Sequence, residues 1–226
     1  MGRNGFAPQN LLLLFEPFAK NRLSEVKPSA PRPHIEGLSD LVFGLALSIG
    51  AFQLVGNLPQ DSGDLIRALA WFGFSFLILI NVWLRYTSIA SVVPVETTAM
   101  VRLNILLLFL VVLEPYTFNI LTRANLAIQF GQDVSAYYAV DLSGMNLVMA
   151  YFIHLATREK KELVPAELTR RFKPSRNYAL VVGLIFAISA IPVFSAPVLG
   201  TSWRIVIWIL VVPVVWLSRI FGRPNS

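Results

Sequence analysis

His34-Ile35-Glu36-Gly37-Leu38-Ser39-Asp40 runs straight into Leu41–Leu58, a stretch without a single charged residue. As a helix rising 1.5 Å per residue, such a stretch covers roughly the 30 Å of a bilayer's hydrocarbon core. A carboxylate at the mouth of a membrane helix is costly, so Asp40 is expected to have a specific partner. The rest of the chain repeats the pattern. Of the 226 residues 55% are hydrophobic and 14% charged, and the mean hydropathy is +0.63, which excludes an ordinary soluble domain and indicates a polytopic all-α membrane protein.

Charges and turn residues divide the chain into six expected spans, at 41–58, 65–84, 99–121, 136–156, 178–199 and 203–221. The third is expected to cross only if Arg102 and Glu114 snorkel or face protein. Pro192 and Pro213 fall inside the fifth and sixth, where neighbouring helices can satisfy the carbonyls that a proline frees. The resulting organisation is a membrane unit, 34–221, between cytoplasmic tails 1–33 and 222–226. Of the 19 Lys and Arg, all but Arg67, Arg123 and Arg204 fall in, or at the span ends bordering, the two tails, the 2–3 loop and the 4–5 loop, so those four segments are expected on the cytoplasmic side.

The net charge of +6 calls for no nucleic acid, because the basic cluster Arg158–Arg176 in the 4–5 loop lies beside helix ends, where anionic lipid head groups are the ordinary partners. Leu11–Phe15 is too short for the apolar core of a cleaved signal peptide. The chain has no Cys and only two His, His34 and His154, with no phosphate loop or nucleophile elbow, so neither an enzyme nor a cofactor is expected. Asp141 and Glu114 are the acidic residues nearest the outer face; they are read as caps or polar contacts, or as an ion-attracting vestibule.

Projected at 100° per residue, the first helix carries a bulky stripe of Leu41, Leu45, Ser48, Ile49 and Phe52. Beside it runs a small-residue stripe, Gly37, Gly44 and Ala51, which is expected to pack on another helix. From the residues alone, the bulky stripe is core, lipid-facing or directed at a symmetry axis.

His34–Leu54 resembles the first helix of the TMEM175-type potassium channel family, whose signature is Arg, three residues, then Phe-Ser-Asp; here His34 is followed, after three intervening residues, by Leu38-Ser39-Asp40. Ser75-Phe76 and Trp83 resemble the family's second helix, and Asn104, Leu106–Leu108 and Pro115 its third, so the likeness covers about 34–117. His34 and Leu38 replace the signature Arg and Phe, Gln53 stands where an acid is common, and Tyr86-Thr87 stands where a His pair is usual, each removing part of a polar network. The resemblance implies a homotetramer whose first helices line a central potassium pore without a carbonyl filter. Leu45, Ile49 and Phe52 then form an apolar constriction with Ser48 as the pore's polar residue, while His34, Ser39, Asp40, Trp83 and Asn104 make the signature network. The implied function is passive, potassium-favouring conduction across a prokaryotic plasma membrane, with K+ as the permeant ion. A secondary transporter using intramembrane carboxylates and a nonconducting membrane scaffold are the alternatives.

Overall fold

The computed structural model describes residues 34–56, 59–91, 97–122, 128–159, 166–198 and 201–211; the tail 1–33, the segment 212–226 with Pro213, and the side chains of His34, Ile35 and Glu36 lie outside the described residues. Five helices follow in order: α1 (His34–Gly56), α2 (Ser62–Ala90), α3 (Thr98–Thr122), α4 (Ile128–Glu159) and α5 (Ala166–Ser189). A 3-10 turn, Pro192–Ser195, and a two-residue antiparallel pair, Pro197–Val198 with Thr201–Ser202, lead into α6, described over 203–211.

Four of these helices contain segments long and apolar enough to cross a membrane: Gly37–Val55, Ser62–Ala90, Thr98–Thr122 and Gln129–Arg158. The third is an unbroken helix through Pro115, and Glu114 is fully buried against protein rather than lipid. Local chemistry sets the ends. Asp61 caps α2 by accepting the Asp64 backbone N–H at 2.7 Å, and Thr97 Oγ1 accepts from Met100 N at the start of α3. Inside the helices, the hydroxyls of Thr87, Thr117 and Thr157 donate to carbonyls three or four residues back, which spares them an unsatisfied donor in an apolar medium.

α1 packs on α2 and α3, α3 on α4, and α4 on α5. A chain of aromatic rings ties α2, α3, α4, α6 and α5 together: Trp71 and Phe74 meet Phe118, which meets Tyr138 at 5.4 Å, which meets Trp208 at 5.3 Å, which meets Phe186 at 6.3 Å.

Two boundaries differ from expectation. α5 begins at Ala166, so Ala166–Asn177, expected as loop, is helical. It then stops at Ser189 rather than continuing to 199. Ile191 precedes Pro192, whose ring disfavours helical geometry at the residue before it; Ile191 is accordingly extended (φ −60°, ψ 139°), and Pro192 starts the 3-10 turn instead of lying within a helix.

The carbonyls exposed by that early stop are satisfied by Arg204, expected as an outer-face charge and found buried. Its Nε donates to Ser189 O at 2.6 Å and its Nη2 to Ala190 O and Ile191 O at 3.1 and 3.3 Å, while Nη1 reaches Gln132 O and Ser135 Oγ on α4. Backbone carbonyls left without helical partners need other donors, and one planar guanidinium supplies them here. Replacing Arg204 with Met should lower stability by about 3 kcal/mol or more, since several buried acceptors lose their donor together. Arg204→Lys should recover only part of this, for want of the fork. Thermal unfolding of purified protein in detergent measures both, and a wild-type midpoint for Arg204→Met would contradict the assignment.

Candidate pore helix and its polar anchors

α1 has two faces of different character. Ser39, Phe43, Ala46 and Gly50, at helical spacing, are buried against α2 and α3. Phe43 meets the Tyr86 ring at 5.9 Å, and a Cβ added at Gly50 would touch the Phe72 ring. On the other side Leu38, Leu41, Leu45, Ser48, Ile49, Phe52 and Val55 form an exposed stripe along the helix, with Leu41 73%, Leu45 57% and Phe52 72% accessible. Ser48 opens onto it while its hydroxyl donates to Gly44 O at 2.8 Å. The small stripe expected to pack on another helix meets none among the described residues of its own chain: Gly37, Gly44 and Ala51 are exposed, and a Cβ at Gly37 or Gly44 would meet nothing within 4 Å. Ser39, Ala46 and Gly50 take that part. They share a face with Phe43, whose ring seats the helix.

Hydrogen bonds hold α1 in this rotation. Asn104 Nδ2 on α3 donates to Ser39 Oγ at 3.1 Å, and Ser39 Oγ also pairs with the Tyr86 hydroxyl on α2 at 2.8 Å. Tyr86, read from the sequence as a loss to the network, is therefore part of it. Trp83 Nε1 donates to Asp40 Oδ1 at 3.0 Å at an exposed edge, so the buried junction centres on Ser39 and not on Asp40. Near the other end, Gln53 Nε2 donates to Pro115 O on α3. The structure thus brings Ser39, Asp40, Trp83 and Asn104 together, while the His34 side chain lies outside the described residues.

A second polar cluster lies inside the bundle. Glu114 accepts from Ser75 Oγ of α2 at 2.9 and 3.1 Å and from Tyr138 OH of α4 at 2.8 Å. Asp141, one turn beyond Tyr138, is buried. Both acids were visible in the sequence; Tyr138 was missed, although its i, i+3 spacing to Asp141 places the two on one α4 face. Arg85, placed by sequence in the 2–3 loop, lies buried within α2 with its guanidinium 4.0 Å over the Tyr178 ring, beside a cavity lined also by Asn81 and Asn146. Among the described residues no group of three or more His, Asp or Glu could hold a metal.

Four helices long and apolar enough to cross a bilayer, packed on one another in an all-α bundle, are the architecture of a multi-pass membrane protein. Residues 34–115 match the sequence model of a family described as the endosomal/lysosomal potassium channel TMEM175. In fold, the chain is similar to the crystal structure of a lysosomal potassium-selective channel TMEM175 homolog from Chamaesiphon minutus, at 19% identity and TM-score 0.59, covering 84% of this chain and 98% of that one. It is also similar to a variant of the potassium channel MtTMEM175 solved with a nanobody–MBP fusion, at 18% identity and TM-score 0.60, covering 88% of this chain and 96% of that one. No curated protein sequence matches. The sequence match to that family thus spans α1, α2 and most of α3, and the likeness of fold to the two solved channels extends over most of the chain; the matched family and these solved neighbours are ion channels, not enzymes.

Ser39→Ala should cost about 1–3 kcal/mol, because the buried Asn104 amide, whose Oδ1 has no partner among the described residues, loses its acceptor. Asp40→Ala at the exposed edge should cost less than Ser39→Ala. In a Ser39→Ala/Asn104→Leu double-mutant cycle read by thermal unfolding, the two losses should not add; additive losses would show that the pair does not act as one contact.

Proposed function

We propose that the protein is a homotetrameric cation channel favouring potassium, with the α1 stripe lining a central pore. The carrying observation is the stripe itself. α1 is fixed by Ser39, Phe43 and Gln53 on one side, yet turns a full-length apolar face with one hydroxyl, Ser48, away from its own protomer. The open Gly37–Gly44–Ala51 edge beside it suits close approach by a neighbouring copy. The names of the matched family and of the similar solved structures support the same permeant ion.

In this reading, four copies of Leu45, with Ile49 and Phe52 one and two turns above, form a collar at which an ion sheds part of its water. Potassium holds that water less tightly than sodium, so the collar favours it without carbonyl ligands, and Ser48 replaces some of the lost hydration. No cofactor takes part. The termini and the basic first half of α5 face the cytoplasm, where Arg170 and Lys173 are exposed to anionic head groups of the plasma membrane. A secondary transporter is the second reading, favoured by the buried carboxylate of Asp141; saturable flux without unitary currents would select it. A scaffold would assemble and pass no ions.

Planar-bilayer recording of purified protein tests the proposal. Leu45→Asn should raise conductance and lower the potassium-to-sodium permeability ratio, and Ser48→Ala should alter the ratio. Ile105→Asn, equally open but on α3, should leave both unchanged. A conducting Leu45→Asn protein with wild-type conductance and ratio would remove α1 from the constriction.

A further inference from the structure

We propose that Arg102 on α3 of one copy pairs with Asp40 on α1 of the next, so that the tetramer closes with α3 lying along the neighbouring pore helix. The inference rests on the reading of the protein as a homotetramer built around α1, and it names the residues that join the copies.

Two opposite charges are left open at the same end of the bundle. Asp40 is exposed, and Trp83 Nε1 engages only its Oδ1, so Oδ2 is unused among the described residues. Arg102, in the first turns of α3, is exposed as well. Among the described residues the one ion pair joins Arg67 to Asp64 at the far end of α2, and Arg85, the cation of α2 nearer this end, is buried over the Tyr178 ring. A lone charge on the open face of a membrane helix is costly, so each of the two has to snorkel to water or meet a partner.

Within one copy the two face apart. Asn104 points at Ser39 on its own α1, and Arg102, two residues earlier, projects about 160° away from that direction. α2 and α3 flank α1 on different sides: Trp83 of α2 reaches Asp40, whereas Pro115 of α3 takes Gln53, and positions 40 and 53 are about 140° apart around α1. Asp40 therefore lies on the α2 side of the pore helix, and Arg102 on the outer edge of the α3 side. A closed ring of identical copies joins one such edge to the other, head to tail, at every interface.

Depth matches too. α1 and α3 run in the same direction, as the Ser39–Asn104 and Gln53–Pro115 contacts require. Counted from the first of these contacts, Asp40 and Arg102 differ in height by about 4.5 Å, which the long arginine stem spans. Rotation about an axis normal to the membrane leaves heights unchanged, so the match holds between copies. The same offset sets Phe109, 61% accessible and two turns beyond Arg102 on its face of α3, level with Gly44, where an added Cβ would meet nothing within 4 Å. A bulky ring on one copy thus faces an open glycine on the next, and the charges select which faces meet.

Two measurements on the full-length protein test this. Gly44→Cys/Phe109→Cys, which leaves both charges in place, should give a ladder of products up to four copies when membranes are treated with a short thiol cross-linker, and neither single replacement should. For the charges themselves, Asp40→Asn keeps an acceptor for Trp83 while removing the charge. On dilution in detergent, Asp40→Asn and Arg102→Gln should each raise the concentration at which half the tetramer dissociates by about threefold or more, and the double variant should go no further than either alone. Absence of the ladder in a protein whose wild type is trapped as four copies by an amine cross-linker would overturn the pairing and leave the tetramer standing. So would single variants that dissociate as the wild type does, or losses that multiply in the double variant. A wild type that the amine cross-linker leaves monomeric would overturn the tetramer, and the pairing with it.

Discussion

One hydroxyl, that of Ser39, fixes the rotation of α1. It is shared by Asn104 from α3 and Tyr86 from α2 in a fully buried position, where an unpaired polar atom is costly. Turning α1 by a quarter would break both contacts, lift Phe43 off the Tyr86 ring and carry the Leu45–Phe52 stripe into the protomer. Because the bilayer gives no hydrophobic preference between lipid and protein for a Leu side chain, polar contacts and close packing have to choose the face. The open stripe follows from the buried hydroxyl.

The other end of the bundle relies on the same rule applied to backbone. Ile191-Pro192 ends α5 early, and without Arg204 the carbonyls of Ser189, Ala190 and Ile191 would face an apolar surround. Trp208, one turn further along α6, then bonds Ser189 Oγ and closes the aromatic chain through Tyr138 to Phe118. Tyr138 thereby belongs to two systems at once: its ring is core packing, and its hydroxyl serves Glu114. Packing and electrostatics are linked at that residue.

Much of this was legible in the chain. Apolar runs located α1 to α4, and the Ser39-Asp40, Trp83 and Asn104 pattern named residues that meet in space. What failed had physical reasons. α1 contains two small-residue stripes, Gly37–Gly44–Ala51 and Ser39–Ala46–Gly50, and small size alone does not say which one a neighbour fills. Tyr86 replaces a different residue type, yet its hydroxyl reaches Ser39, so comparison by residue identity undervalued it. Arg85 and Arg204 looked like boundary charges because charge normally marks the water; here a Tyr178 ring and a helix end receive them instead.

The central claim, that the outward face of α1 lines the ion path, is open to a direct chemical measurement because the chain has no native Cys. Ser48→Cys and Ala46→Cys proteins can be recorded in bilayers before and after a charged thiol reagent. Reaction at position 48, on the exposed stripe, should reduce potassium current, and bound potassium should slow that reaction; position 46, buried against α2 and α3, should not respond. A conducting Ser48→Cys protein that the reagent modifies fully without any change in current would contradict the account.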